Sequence, residues 1–290
     1  MGEDFEVSNF ADRAGRAWRV LARNPVSAAA LVFIPALAAL AILAPWIAPY
    51  DPDATDLDHV LQGPASLHWF GTDQVGRDVL SRVLVASRLD LAIALSAVLL
   101  SFVVGTVIGG GAALFGGFPD RLIGRLTDVL MTFPLFVVAM AMVAALGNSV
   151  QSIVFASAVV NLPFFVRLAR SEISVLRSQQ FVEAARAGGN SELHILFGFM
   201  IPNALPVMTV QVSTGLGWAV LNAASLSFIG LGIRPPTAEW GIMVAEGAAN
   251  ILSGFWWLAI FPAIALTLTV LCFNLLGDGL RDVIDVRTRR

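Results

Sequence analysis

Few side chains in this chain have chemistry to offer, and their spacing assembles no active site. His59, His68 and His194 are scattered, Cys272 stands alone, and neither His-Glu-x-x-His nor Gly-x-Ser-x-Gly occurs. Asp51, Asp53 and Asp56 open somewhat like an oxygen-ligand calcium loop. The sixth place, which needs a glycine for its turn, is Asp56, and Gln62 replaces the closing glutamate. We read a solvated acidic loop without metal. No lysine occurs anywhere, so the chain has no phosphate-binding P-loop of its own and is not its own ATPase. What remains are uncharged polar residues inside apolar runs: Thr132, Asn161, Asn222, Ser225 and Ser227. In lipid such a group faces protein or a water-filled cavity. These five are candidate lining residues of a pathway, with hydrogen bonding between helices as the competing reading. No charge falls in the middle of these runs, where proton- or ion-coupled carriers keep their relays.

The elements that must hold those residues are membrane spans. The 290 residues are 57% hydrophobic and 13% charged, too apolar for an ordinary soluble domain. Five stretches lack any Asp, Glu, Lys or Arg: 24–50, 91–119, 129–166, 195–233 and 247–277. Crossing a bilayer takes about 20 apolar residues, so each stretch holds at least one span. The third is too long for one helix at about 1.5 Å per residue, and Gly147-Asn148-Ser149 offers a turn in its middle. The pattern predicts an all-α polytopic protein with six spans near 27–50, 91–115, 129–146, 150–168, 204–231 and 251–276.

Arginine gives the orientation. Fourteen of the 18 arginines fall before span one, between spans two and three, between four and five, and after span six. The positive-inside rule puts that side and both termini in the cytoplasm. Acidic residues before Arg13, and no Ala-x-Ala site after the first span, predict a retained anchor instead of a cleaved signal. Cys272, in the sixth span, reads as a small buried hydrophobe.

One polar, helix-breaking insertion faces the arginine-rich side. Phe181-Val182-Glu183-Ala184-Ala185-Arg186-Ala187 is a short helix, and the small alanines permit close approach to another surface. Gly188-Gly189 then allows a sharp turn, because glycine takes positive φ without steric cost. Asn190 is the expected cap of a second short helix with Glu192 in its first turn, and Pro202 ends that helix or opens the next span. Helix, turn, helix makes a knob suited to docking.

Glu183, Ala184, Ala185, Gly189 and Pro202 resemble, in type and spacing, the EAA loop of ABC importer permeases. The resemblance implies that this loop, about 171–202, inserts into a groove of a cytoplasmic ATPase and transmits its closure. Gly188 stands where the family usually has a large apolar residue, and Gly198-Phe199 where a basic and an Ile-like residue are usual, which implies softer anchoring. Further stretches resemble the second permease subunit of dipeptide, oligopeptide and nickel importers. They are His68-Trp69-Phe70-Gly71-Thr72-Asp73 through Arg82; Gly116-Gly117-Phe118-Pro119-Asp120-Arg121 with Arg125 and Asp128; Ser225 through Gly232 with Pro235-Pro236 and Trp240-Gly241; and Asn274 through Asp282. Apart from the resemblance, Gly105, Gly109, Gly110 and Gly111 read as close helix packing, and Trp256 and Trp257 as interfacial anchors. Asp/Arg alternation between Asp73 and Arg82 reads as local ion pairing at the membrane rim. Gly277-Asp278-Gly279 reads as a break at the end of a span.

The expected organisation is a cytoplasmic tail (1–26), a first anchor (27–50), an extracytoplasmic segment (51–88), a five-helix core (89–280) and a cytoplasmic tail (281–290). The resemblance implies half of a heterodimeric channel in a bacterial or archaeal cytoplasmic membrane. Its partners would be a homologous permease, two ABC ATPases that bind the ATP and Mg, an extracytoplasmic binding protein and the bilayer, with no nucleic acid and no cofactor in this chain. Di- or oligopeptides are the implied cargo, ahead of nickel or small oligomers. A self-contained channel or secondary transporter, and more remotely a membrane-embedded hydrolase, are the alternatives.

Overall fold

The computed structural model describes residues 25–288. Arg13, Arg16, Arg19, Arg23, Arg289 and Arg290, and nearly all of the expected 1–26 tail, lie outside the described residues. Among the described residues ten α-helices follow in order: α1 Pro25–Ile47, α2 Val79–Phe115, α3 Gly117–Thr132, α4 Leu135–Leu146, α5 Val150–Leu176, α6 Gln180–Ala187, α7 Glu192–Ile195, α8 Ile201–Phe228, α9 Trp240–Ala248 and α10 Trp257–Thr288. No strand occurs among the described residues.

The bundle is organised by close approach. A Cβ on Gly105 would lie 2.6 Å from Phe165 Cβ, and one on Gly109 2.3 Å from the Val166 carbonyl. α2 and α5 therefore run side by side and parallel at a spacing that only glycine permits. Gly110 and Gly111 do not share this role: the first has ordinary contacts and the second faces open space. Ser101 Oγ adds a hydrogen bond across the same pair to the Ala158 carbonyl, 2.8 Å. α8 returns antiparallel and packs on α10, where Ser213 Oγ donates to the Phe273 carbonyl at 2.7 Å.

Several expected boundaries move. The third span is not one helix over 129–146; α3 ends at Thr132, and α3 and α4 meet at 88° across Phe133-Pro134. Proline disfavours helical geometry in the residue before it, and Phe133 is extended (φ −80°, ψ 145°). At 12 residues, α4 extends only about 18 Å, too short to cross alone. Among the described residues four helices are long and apolar enough to span, five if the bent pair counts as one, and the first apolar stretch, Val32–Ile47, is shorter. α2 starts at Val79, twelve residues before the expected 91, and so carries Asp90 within an apolar helix. The expected break at Gly277-Asp278-Gly279 does not occur: α10 runs through it, and Gly277 serves close packing instead, with Thr214 Cγ2 2.7 Å from where its Cβ would be.

The segment before α2, expected as extracytoplasmic, is a folded cap, more than a rim of local pairs. Asp78 caps α2 through Ser81 N at 2.8 Å and also holds His68 at 2.9 Å. Arg77 donates to Asp73 at 2.6 Å, and Arg82, only 1% exposed, donates to the carbonyls of Pro52 and Pro236. The carboxylates of the acidic loop cap turns: Asp51 accepts from Asp53 N, and Asp56 from Asp58 N. Trp257 is no interfacial anchor; it is buried, with its indole N–H on the Thr72 carbonyl at 3.1 Å, and of that pair only Trp256 is exposed. Buried Asp90 accepts from Trp240 N at 3.1 Å, joining α2 to α9.

Replacing Gly109 with leucine should force α2 and α5 apart. Overpacking of this kind costs about 1–3 kcal/mol or more, so the variant should show a lower midpoint of thermal unfolding in detergent, while Gly111→Leu should leave it unchanged.

Candidate functional site

α5 and α8 are joined by the polar insertion and also form much of one cavity wall, so two candidate sites share a pair of helices. At the insertion, α6 is anchored by Val182, which is wholly buried with Ile173, Ile195, Leu196 and Met200. Glu183, Ala184, Gly188 and Gly189 are exposed on the outside of the same turn. Only the second glycine needs its freedom: Gly188 is at φ −74° and Gly189 at +81°, with open space where a Cβ would stand. Asn190 does not cap the second helix. Its Nδ2 donates back to the Ala185 carbonyl at 3.0 Å, closing the end of α6, and Ser191 caps α7 instead through His194 N.

A bidentate pair closes the knob. Arg186 Nε and Nη2 reach the two Glu192 oxygens at 2.8 and 3.1 Å, and the neighbouring carboxylate raises the guanidinium above its ordinary value. Pro202 does not end α7; it stands in the first turn of α8 and so opens the next span. A π-helical segment, Leu196–Met200, connects α7 to α8, with Ile201 N bonded to the Leu196 carbonyl. That wider turn accommodates a proline that cannot donate and would crowd the carbonyl four residues back. The knob therefore continues into α8 without a break in the helix.

Beside it, α3 is tied to α5. Arg170 donates to Asp120 at 2.8 Å and Arg167 to Asp128 at 3.1 Å. Gly124 leaves room for the Arg170 guanidinium, 2.8 Å from where its Cβ would be. Arg177 reaches the Ala113 carbonyl at the end of α2.

The second site is a cavity of about 500 Å³ lined by Leu135, Phe136, Val160, Asn161, Phe164, Gln211, Thr214, Trp218 and Asn222. A second cavity, about 350 Å³, adjoins it; Phe136 lines both, and Ser225 lies in the second. Of the five polar candidates, Asn161 and Asn222 line the first and Ser225 the second. Thr132 lies in neither; it ends α3 and donates to the Asp128 carbonyl. Ser227 lies in neither and is buried, its hydroxyl without a partner among the described residues. Phe136, Phe164, Gln211, Thr214 and Trp218 were not among the sequence candidates. The spacing of Gln211, Thr214, Trp218, Asn222 and Ser225, three and four apart, is the signal that places them on one helix face.

Residues 90–290 match the family described as binding-protein-dependent transport system inner membrane component. The chain belongs to that family. Residues 13–64 match the N-terminal transmembrane domain of oligopeptide transport permease C. The chain is 42% identical to the probable D,D-dipeptide transport system permease protein of Escherichia coli (strain K12), covering 92% of this chain and 89% of that one. It is also 42% identical to the glutathione transport system permease proteins of Escherichia coli O6:K15:H31 and Shigella boydii serotype 4, covering 94% of this chain and 90% of each of theirs. It is a multi-pass membrane permease subunit of an ABC transport system, and such permeases leave ATP hydrolysis to separate subunits.

The Arg186–Glu192 pair is partly exposed, so its coupling should be about 0–1 kcal/mol. Glu192→Arg should make the loop more susceptible to limited proteolysis, and the swap Arg186→Glu with Glu192→Arg should restore resistance.

Proposed function

We propose that this chain forms half of a translocation path for short peptides in an ABC importer, pairing with a homologous permease. Two cytoplasmic ATPases that bind ATP and Mg, and an extracytoplasmic binding protein that delivers cargo, complete the machine. The observation that carries the reading is the knob. It is exposed at Glu183, Ala184 and Gly189, anchored through Val182, and continuous with both α5 and α8. ATP binding would draw the ATPases together, carry the knob with them, and tilt the two helices that form the cavity wall. The path would then alternate between inward and outward access, and hydrolysis would reset it.

Sidedness supports the same reading. Arg121, Arg125, Arg167, Arg170, Arg177 and Arg186 cluster at the knob's end of the bundle, opposite the cap built on Asp73, Arg77 and Arg82, which favours placing the knob in the cytoplasm. Peptide cargo is inferred from the dipeptide and glutathione permeases to which the chain is similar, and from a wall with no charged group to capture a metal ion.

Gly189→Leu tests the knob. A side chain at φ +81° costs about 1–2 kcal/mol of local strain, and the open space beyond it is where an ATPase would sit. The variant should insert and co-purify with the second permease, bind the ATPases less well, and transport less substrate per ATP hydrolysed. Glu183→Ala should act more mildly. A Gly189→Leu complex that assembles and transports at the wild-type ratio would remove the knob from the mechanism.

A further inference from the structure

The polar groups of the larger cavity are three carboxamides, one hydroxyl and the Trp218 indole N–H, with no ionisable side chain. Thr214 turns its hydroxyl back to the Val210 and Gln211 carbonyls. Asn161 donates Nδ2 to the Ser157 carbonyl at 2.8 Å and leaves Oδ1 without a partner among the described residues. Gln211 and Asn222 make no side-chain hydrogen bond among the described residues, and both are only half-buried on the cavity face of α8. Trp218, 59% exposed, stands between them.

From this we infer that the cavity wall recognises the peptide backbone and is indifferent to the charge of the cargo. The inference rests on the transport reading above and deepens it. A carboxamide presents one acceptor and one donor group, the same pair that a peptide unit presents, so Gln211 and Asn222 are each able to bond an amide in both directions. They lie eleven positions apart on one helix, about 16 Å at 1.5 Å per residue. An extended peptide rises about 3.3 Å per residue, so the two amides bracket about five residues of cargo. Asn161, in the α5 part of the wall, adds its unpartnered oxygen as an acceptor for backbone N–H. Phe164 and Trp218 supply apolar surface against side chains of any type. A carboxylate or guanidinium in the wall would sort peptides by charge; carboxamides of similar shape do not. Charge selection, where the importer has any, then lies outside this wall.

The test uses the complete importer in proteoliposomes, with Ala-Ala-Ala, Ala-Asp-Ala and Ala-Arg-Ala as probes at equal occupancy of the binding protein. Wild-type uptake should differ by less than about threefold among them. Asn222→Asp and Gln211→Glu are close in shape to the residues they replace. Each should shift the ratio of cationic to anionic uptake by about tenfold toward the cation, equivalent to about 1.4 kcal/mol. An ester in place of one backbone amide should slow wild-type uptake and make less difference in Asn222→Leu. Tenfold charge discrimination by the wild type, or unchanged ratios in both acidic variants, would overturn the inference while leaving peptide transport standing. ATP-driven uptake of oligosaccharides with none of any peptide would overturn the inference and the transport reading together.

Discussion

The contact of Gly105 and Gly109 with Phe165 and Val166 is the constraint on which the rest depends. Where no side chain separates two helices, neither slides past the other without a clash of backbone atoms, so α2 and α5 behave as one strut. Everything attributed to function hangs from that strut. α5 carries Asn161 and Phe164 on its cavity side and passes directly into α6. Its arginines hold α3 through Asp120 and Asp128, and Arg177 closes the end of α2. At the opposite end, Asp90 and Trp240 fix the same strut to α9, and the Arg77–Asp73 pair braces the cap above it.

Seen this way, the knob and the cavity are two ends of a single lever. The insertion between α5 and α8 has no flexible linker on either side. α6 follows α5 after three residues, and α7 runs through its π-helical turn into α8. On the proposed mechanism, a push at the knob would reach both walls through continuous helix. Within the insertion the one positive-φ position is Gly189, at the exposed tip and away from both long helices.

Much of this was legible in the sequence, for identifiable reasons. Charge-free runs mark apolar helices because lipid excludes unpaired charge, and Glu183 through Gly189 sit in a polar island that no span tolerates. The close packing of Gly105 and Gly109 was readable because glycines four apart share one helix face. The misses have physical causes as well. The break at Phe133-Pro134 lies within an unbroken apolar run, where hydropathy is blind to direction. Trp257 looked interfacial by residue type, yet its N–H found the Thr72 carbonyl, a partner 185 residues away that no local pattern reveals. Ser191 displaced Asn190 as the cap because Asn190 was drawn to the end of α6. The cavity track on α8 hid in plain spacing: Gln211 and Trp218 fall in register with Thr214, Asn222 and Ser225 on one helix face.

The central claim is that knob and cavity wall move as one body. Pulsed EPR on the assembled importer addresses it most directly, with Cys272 replaced by serine and nitroxides at Glu183→Cys on the knob and Phe155→Cys on the exposed flank of α5. On binding a non-hydrolysable ATP analogue, the separation within this chain should change by less than about 2 Å. The separation between Glu183 and the equivalent knob of the second permease should shift clearly under the same conditions. A knob that moves several ångströms relative to Phe155 while the wall stays still would contradict the account.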